Sequence, residues 1–141
     1  MDRVVGHIDL DYFYAQVEEV ENPSLKDRPV IVCVFSGRTE DSGVVSTSNY
    51  KARAFGVHSG MPIALAKKKL QSENPAVIRM NHEKYEVVST RIMDLVEEMV
   101  DTLEPTGIDE AFFDLTPSTG GDYGAGERKA EAIRRSIFDA E

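Results

Sequence analysis

The order of apolar and polar positions divides this chain into short alternating elements. Residues 3–9, "RVVGHID", read as a brief buried strand that ends in an aspartate. Asp11 is an N-cap candidate for a helix over 12–20, which should stop before Asn22-Pro23. "PVIVCVF" (29–35) and "GVVSTS" (43–48) predict two strands joined by the polar loop "SGRTEDS". A short helix "NYKARAF" ends at Gly56, and "PIALAKKKL" predicts another with Pro62 in its first turn.

The strongest helical signal covers 82–101, where Tyr85, Val88, Ile92, Leu95, Met99 and Leu103 recur at spacings of three and four. "TLEPTGIDEAFFDLTP" then predicts a β-hairpin with a polar corner. "STGGDYGAG" (118–126) reads as a loop and 126–140 as a charged amphipathic helix. With 11–77 set aside, the order is strand, helix, strand, strand, helix, most of a split β-α-β-β-α-β unit without its final strand. The excised piece predicts a small inserted α/β lobe. Two lobes with a cleft are therefore expected.

Three groups of residues carry candidate chemistry. Asp9 ends the first strand, while Asp109 and Glu110 sit at the hairpin corner. Neighbours on a straight strand point to opposite faces, so both reach one point only if a bulge or tight corner intervenes. Gly107 makes such a distortion easier. Carboxylates of this kind suit Mg²⁺, and a pair of such ions forms the clamp used in phosphoryl transfer. The ordinary alternative is a capped turn at Asp9 and a solvated hairpin at Asp109 and Glu110, as Asp114 is expected to be a plain exposed strand residue.

The second group, "STSNYKAR" (46–53), offers Thr47, Tyr50 and Arg53, with the last two spaced i,i+3 on one helix face. A hydroxyl, a phenol and a guanidinium suit an anion such as a phosphate. A surface Arg–Tyr pair is the ordinary alternative. The third group is "DYFYA", where first-turn amides and the rings of Tyr12, Phe13 and Tyr14 face the region of Asp9, or else serve as hinge packing.

Composition sets bounds on these readings. The chain has 141 residues, 41% of them hydrophobic and 29% charged, which suits one domain or one and a half small ones. Its formal charge of −9 argues against a strong, self-contained nucleic-acid binder, which needs Lys and Arg for phosphates. "AKKKL" (66–70) is the basic cluster, and it reads equally well as a solvated helix face. No apolar run approaches the ~20 residues of a membrane helix. The N-terminus lacks signal-peptide anatomy, so a cytoplasmic location is expected. Cys33, the single cysteine, is expected to be a buried strand residue.

Taken together, "DLDYFYAQVEE", "NPSLKDRPVIVCVFSGR", "STSNYKARAFGV" and "GIDEAFFDLT" resemble, in order and spacing, the N-terminal part of a Y-family (lesion-bypass) DNA polymerase. The similarity is to the archaeal DNA polymerase IV-like branch, and it runs over nearly the whole chain. It implies an α+β fold, with a ferredoxin-like palm at 1–10 and 78–141 and inserted fingers at 11–77. Asp9, Asp109 and Glu110 would be the catalytic and metal-binding carboxylates, with the Leu10 carbonyl as a further ligand to two Mg²⁺ ions, replaceable by Mn²⁺. Tyr12, Phe13 and Tyr14 would floor the nucleotide site, Tyr14 acting as steric gate against a ribose 2′-OH. Thr47, Tyr50 and Arg53 would hold the triphosphate, and Val34, Val44 and Gly60 would line the roof over the nascent base pair.

The same resemblance implies primer–template DNA and dNTPs as partners, and a sliding clamp reached through a segment beyond residue 141, where the basic DNA-gripping parts are also expected. The chain departs from the family at Gly107, where Ser usually precedes Ile-Asp-Glu. A nucleotidyl cyclase is a rival on a related palm, but its Gly-Gly-Asp-Glu-Phe hairpin is absent and "GGDYG" stands in a loop. A non-catalytic nucleotide- or protein-binding module is a rival of another class. Without a final palm strand, strand 3–9 would be left with an exposed edge, through which the 141-residue chain is expected to self-associate unless its C-terminal helix folds over that edge.

Overall fold

The computed structural model describes residues 2–140. In chain order the elements are β1 (Val5–Asp9), α1 (Phe13–Glu21), a 3-10 turn (Pro23–Asp27), β2 (Val30–Phe35), β3 (Gly43–Ser48), α2 (Tyr50–Arg53), α3 (Ile63–Leu70), β4 (Ala76–Arg79), α4 (His82–Glu97), β5 (Thr102–Gly107), β6 (Glu110–Asp114), α5 (Thr116–Thr119) and α6 (Tyr123–Ala140). This is a mixed α+β chain, and it divides into two compact units. One holds the residues up to Leu10 and those from Glu83 onward; the other is Asp11–His82.

The first unit is built on an antiparallel sheet of order β1-β6-β5. Its register sets Val5 opposite Asp114, His7 opposite Phe112 and Asp9 opposite Glu110. Side chains alternate across a strand. Val5, His7, Asp9 and Phe112 are therefore exposed together, while Ala111 and Phe113 are buried. Thus β1 is half-buried, in contrast to the fully buried strand its apolar residues suggest. Gly6 is required here, because a Cβ would lie 2.2 Å from the buried Phe113 ring. The predicted distortion is present: pairing of β5 with β6 shifts register between Pro105 and Gly107.

The helices of this unit correct two sequence expectations. α4 stops at Glu97, and its buried face is Tyr85, Ser89, Ile92, Met93 and Val96. Leu103 belongs to β5, because the chain turns into the hairpin before the predicted stripe is complete. Residues 118–126 are not a plain loop. Thr116–Thr119 forms a helical turn ended by left-handed Gly120, and α6 already begins at Tyr123.

The second unit centres on a sheet of order β3-β2-β4, antiparallel between β2 and β3 and parallel between β2 and β4. Strand β4 and the 3-10 turn carry too few residues for periodicity to announce them. Ile31, Cys33 and Val45 pack with Ala52, Val57, Met61, Ile63, Ala66 and Leu70 in one apolar cluster. Cys33 is the buried strand residue expected, and burial pushes its thiol pKa up to about 11. Pro62 occupies the N-cap of α3 and not its first turn. Lys67 of α3 bonds Asp41, so one member of the basic cluster is spent on tying down the β2–β3 loop.

Asn49 fastens this unit at four points. Its side-chain oxygen accepts the amides of Val30 (2.9 Å) and Ala52 (3.0 Å), capping α2. Its nitrogen donates to the Arg28 carbonyl (2.8 Å) and to the Glu19 carboxylate (3.0 Å). A buried amide with both ends satisfied rigidifies its surroundings, whereas a half-satisfied one would cost more than an apolar residue.

Candidate functional site

Strand register brings two of the predicted carboxylates side by side, since Asp9 and Glu110 are direct partners across β1 and β6. Asp109, at the turn between β5 and β6, is held by its own backbone: the Leu10 amide donates to the Asp109 carbonyl at 2.8 Å. The preceding carbonyl, that of Ile108, accepts the hydroxyl of Ser89 from α4. The peptide that carries Asp109 is thus gripped from both ends. Burial raises the Asp109 pKa above the ordinary carboxylate range, and the negative charges of Asp9 and, to a lesser degree, Glu110 raise it further. His7 lies against Phe112, with ring centroids 4.7 Å apart, and its Nε2 stands 3.9 Å from Glu110.

These carboxylates repel one another without closing a cage. Among the described residues no three His, Cys, Asp or Glu side chains stand at metal-holding distances. The donor chemistry nonetheless fits a hard divalent cation: hard oxygen donors stand on adjacent strands, with a like-charge repulsion that a cation would relieve. Gly107 stands close to Asp109. A Cβ there would lie 4.0 Å from Asp109 Oδ1, so a serine hydroxyl at this position would be in reach of that carboxylate. Asp114 stands apart from this group. Its carboxylate accepts the Thr116 amide at 2.7 Å, and hydrogen bonds from Thr116 hold its pKa below the usual range.

The remaining candidates belong to the second unit. Asp11 does not cap α1. Tyr12 occupies the N-cap in a left-handed conformation, φ +33° and ψ +47°, with no side-chain cap. Such a backbone costs an aromatic residue on the order of 1–3 kcal/mol unless its surroundings hold it. The Tyr12 ring meets Tyr50 edge-on at 4.9 Å. Burial raises the Tyr12 pKa, and the charge of Glu19 adds to that. Phe13 is buried and Tyr14 half-buried, their ring centroids 6.0 Å apart.

Arg53 lies over the Tyr50 ring at 5.2 Å and donates Nε to the Ser48 carbonyl at 2.9 Å. The pair predicted from i,i+3 spacing is therefore real, and Tyr50 is 55% exposed beside it. Thr47 sits on β3 opposite Val32, half-buried. Val34 and Val44 face each other across β2 and β3, at 45% and 43% exposure, and Val44 bridges to Pro62. Gly60 has φ +88° with open space where a side chain would stand. A small apolar surface results.

Sequence reasoning did not single out Ser89, Asn49 or Glu19. Ser89 interrupts the apolar stripe of α4, and that polar intrusion on a buried face was the available signal. Asn49 directly precedes a short helix, a position that invites a capping role.

Comparison with known proteins adds the following. The family model for impB/mucB/samB proteins matches residues 8–141. A DNA polymerase IV of Saccharolobus solfataricus is 49% identical over 138 residues, covering 98% of this chain and 38% of that protein. The DNA polymerase IV of Nitrosopumilus maritimus is 46% identical over 136 residues, covering 96% of this chain and 37% of that protein. A solved structure, an insertion ternary complex of Dbh DNA polymerase, superposes with TM-score 0.90 at 44% identity, over 96% of this chain and 39% of that one. The chain thus spans about two fifths of the length of these relatives.

The raised pKa of Asp109 fixes a sign. A carboxyl whose folded pKa exceeds its unfolded value favours the fold below the unfolded pKa, and that contribution is lost as pH rises through the folded pKa. Without divalent cations, Asp109→Asn should therefore raise Tm at pH 7, by about 1–3 °C for a fraction of a kilocalorie. The gap should close below the ordinary carboxylate pKa of about 4. A Tm gap that ignores pH in a thermal melt series would show that Asp109 is not under this repulsion.

Proposed function

Because the chain belongs to the impB/mucB/samB family of Y-family DNA polymerases, we propose that it is the N-terminal catalytic part of an error-prone, translesion DNA-directed DNA polymerase. The observation that carries this reading is the register of Asp9 against Glu110, with Asp109 pinned beside them by Leu10. The unit with sheet order β1-β6-β5 would be the palm, a ferredoxin-like split unit, and the inserted fingers, 11–77, would lie within the unit Asp11–His82. The substrates would be a dNTP and primer–template DNA, with a sliding clamp as a further partner and a cytoplasmic location.

In this reading Asp9, Asp109, Glu110 and the Leu10 carbonyl hold two Mg²⁺ ions, or Mn²⁺ in their place. Bound there, such ions would supply charge neutralisation to the phosphoryl transfer. The protein's own groups do the positioning. Thr47, Tyr50 and Arg53 hold the triphosphate, Arg53 being oriented by its bond to Ser48 and its seat over Tyr50. The primer 3′-OH attacks the α-phosphorus as pyrophosphate leaves, and most of the catalysis comes from placement. Tyr12 and Phe13 support the nucleotide while Tyr14 excludes a 2′-OH by bulk. Val34, Val44 and Gly60 present a small, accommodating surface to the base pair. A nucleotidyl cyclase is not favoured, since the relatives are named DNA polymerase IV.

The protein encoded by the complete gene should extend a primer in a template-dependent way. Asp109→Ala should lower kcat by about 10²- to 10³-fold, the range lost when a preorganised charge-stabilising group is removed. Tyr14→Ala should spare dNTP incorporation and cut the discrimination against rNTPs, read as a ratio of kcat/KM, by on the order of 100-fold. Equal discrimination before and after would remove Tyr14 from the role. A polypeptide of these 141 residues alone, at charge −9, should not extend a primer.

A split unit of this kind normally places a further strand beside the first. Among the described residues β1 pairs with β6 alone, so its other edge offers unpaired backbone groups. The isolated 141-residue polypeptide should therefore form a strand-paired or swapped dimer through this edge. Light scattering should give the dimer mass, with slow hydrogen exchange at the amides of Val5–Ile8 that face away from β6. A monomer with fast-exchanging amides there would contradict it.

A further inference from the structure

The turn that carries Asp109 is closed in an uncommon way. Gly107 pairs with Glu110, so Ile108 and Asp109 alone make the loop between β5 and β6. Two-residue hairpin loops favour turns with positive φ at one or both residues, because those match the twist of the strands. Neither residue meets that condition: among the described residues, the non-glycine positions with positive φ are Tyr12 and Asn74. The shift of register between Pro105 and Gly107 has already broken the ladder at the entrance to the loop. Local geometry does not close this corner.

Two bonds from outside the hairpin fasten it. The Asp109 carbonyl takes the Leu10 amide at 2.8 Å, which extends the β1 ladder by one bond. The Ile108 carbonyl takes the hydroxyl of Ser89, 19 residues away in sequence on α4. Ser89 is 7% exposed and stands on the face of α4 that also carries Tyr85, Ile92 and Met93. A serine within a helix commonly turns its hydroxyl back to the carbonyl four residues earlier. On such an apolar face alanine would suit the helix better. The hydroxyl of Ser89 goes to the turn, while Gly107 brings no side chain that could steady the Asp109 carboxylate. That carboxylate takes its position from the peptide that bears it.

We infer that Ser89 is a positioning residue for Asp109, anchoring the β5–β6 turn to α4 and so holding Asp109 at the end of the sheet where Asp9 pairs with Glu110. Its part in metal binding rests on the polymerase reading above; the anchoring itself does not.

The test compares Ser89→Ala, which deletes the hydroxyl, with Ser89→Thr, which keeps it. In the 141-residue chain, Ser89→Ala should speed hydrogen exchange at the Leu10 amide by roughly 5- to 10-fold more than at Ile8. Ile8, paired with Ala111, lies two residues back on the same ladder, so a plain loss of stability would speed both amides alike. Ser89→Thr should restore the Leu10 rate. Equal acceleration at Leu10 and Ile8, or none at either, would overturn the anchoring. If Ser89→Ala does not fold, Ser89→Cys, of the same shape with a weak donor, takes its place with the same expected difference.

A second arm titrates Mn²⁺ into the same chain with a dNTP present, following the free ion by electron paramagnetic resonance. Ser89→Ala should weaken Mn²⁺ binding by about 10-fold or more, the loss typical when a group that orients a metal ligand is removed. In the protein encoded by the complete gene it should lower kcat and leave KM for dNTP within about twofold. Ser89→Thr should recover both. Unchanged Mn²⁺ affinity in Ser89→Ala, with Leu10 loosened, would confine Ser89 to the fold and overturn its role at the site. If the parent chain binds no Mn²⁺, the metal-site reading falls, and exchange at Leu10 still decides the anchoring.

Discussion

Like charges near one end of a sheet repel, and in the first unit Asp9 and Glu110 stand opposite each other with Asp109 in the adjoining turn. Asp9 and Glu110 are set opposite each other by the β1–β6 register, which cannot slip by one residue without turning Phe113 outward. Asp109 has no such strand register to hold it. It depends on the Leu10 amide at its carbonyl and on the Ser89 hydroxyl at the carbonyl before it. The shift of register between Pro105 and Gly107 leads into the turn that carries it. The cost of this gathering shows in the raised pKa of Asp109. A structure with nothing to gain from the cluster would let these side chains separate.

The second unit stores a different cost. Tyr12 takes a left-handed backbone with its ring against Tyr50, and the buried Glu19 and Asn49 bond each other. Polar groups in such a network are either all satisfied or a liability. All four side-chain bonds of Asn49 are made. Departures from ordinary backbone and burial preferences concentrate at functional sites, because elsewhere they would be removed at no loss.

Periodicity made the larger elements legible. The apolar runs of β2 and β3 and the stripe of α4 stand out because burial repeats along them. The carboxylates were legible for another reason: Asp9 and the Asp109-Glu110 pair are charges placed where apolar strands end. What the sequence hides is tertiary. Nothing local in "LDYFY" says that Tyr12 turns left-handed and displaces Asp11 from the cap, with its ring against Tyr50, far along the chain. β4 has four residues and owes its existence to parallel pairing with β2. Ser89 looks like a flaw in a helix stripe until its bond to Ile108 is known.

The most direct measurement of the central claim, that the carboxylate cluster exists to be neutralised by a cation with a bound nucleotide, is a thermal melt of the 141-residue chain with Mg²⁺ or Mn²⁺ and a dNTP. Ligand at about 100 times its Kd should stabilise the fold by ~2.7 kcal/mol, a rise in Tm of several degrees. Asp109→Ala should lose most of that rise while melting cooperatively on its own. An unchanged Tm in well-folded parent chain on adding metal and dNTP would contradict the claim.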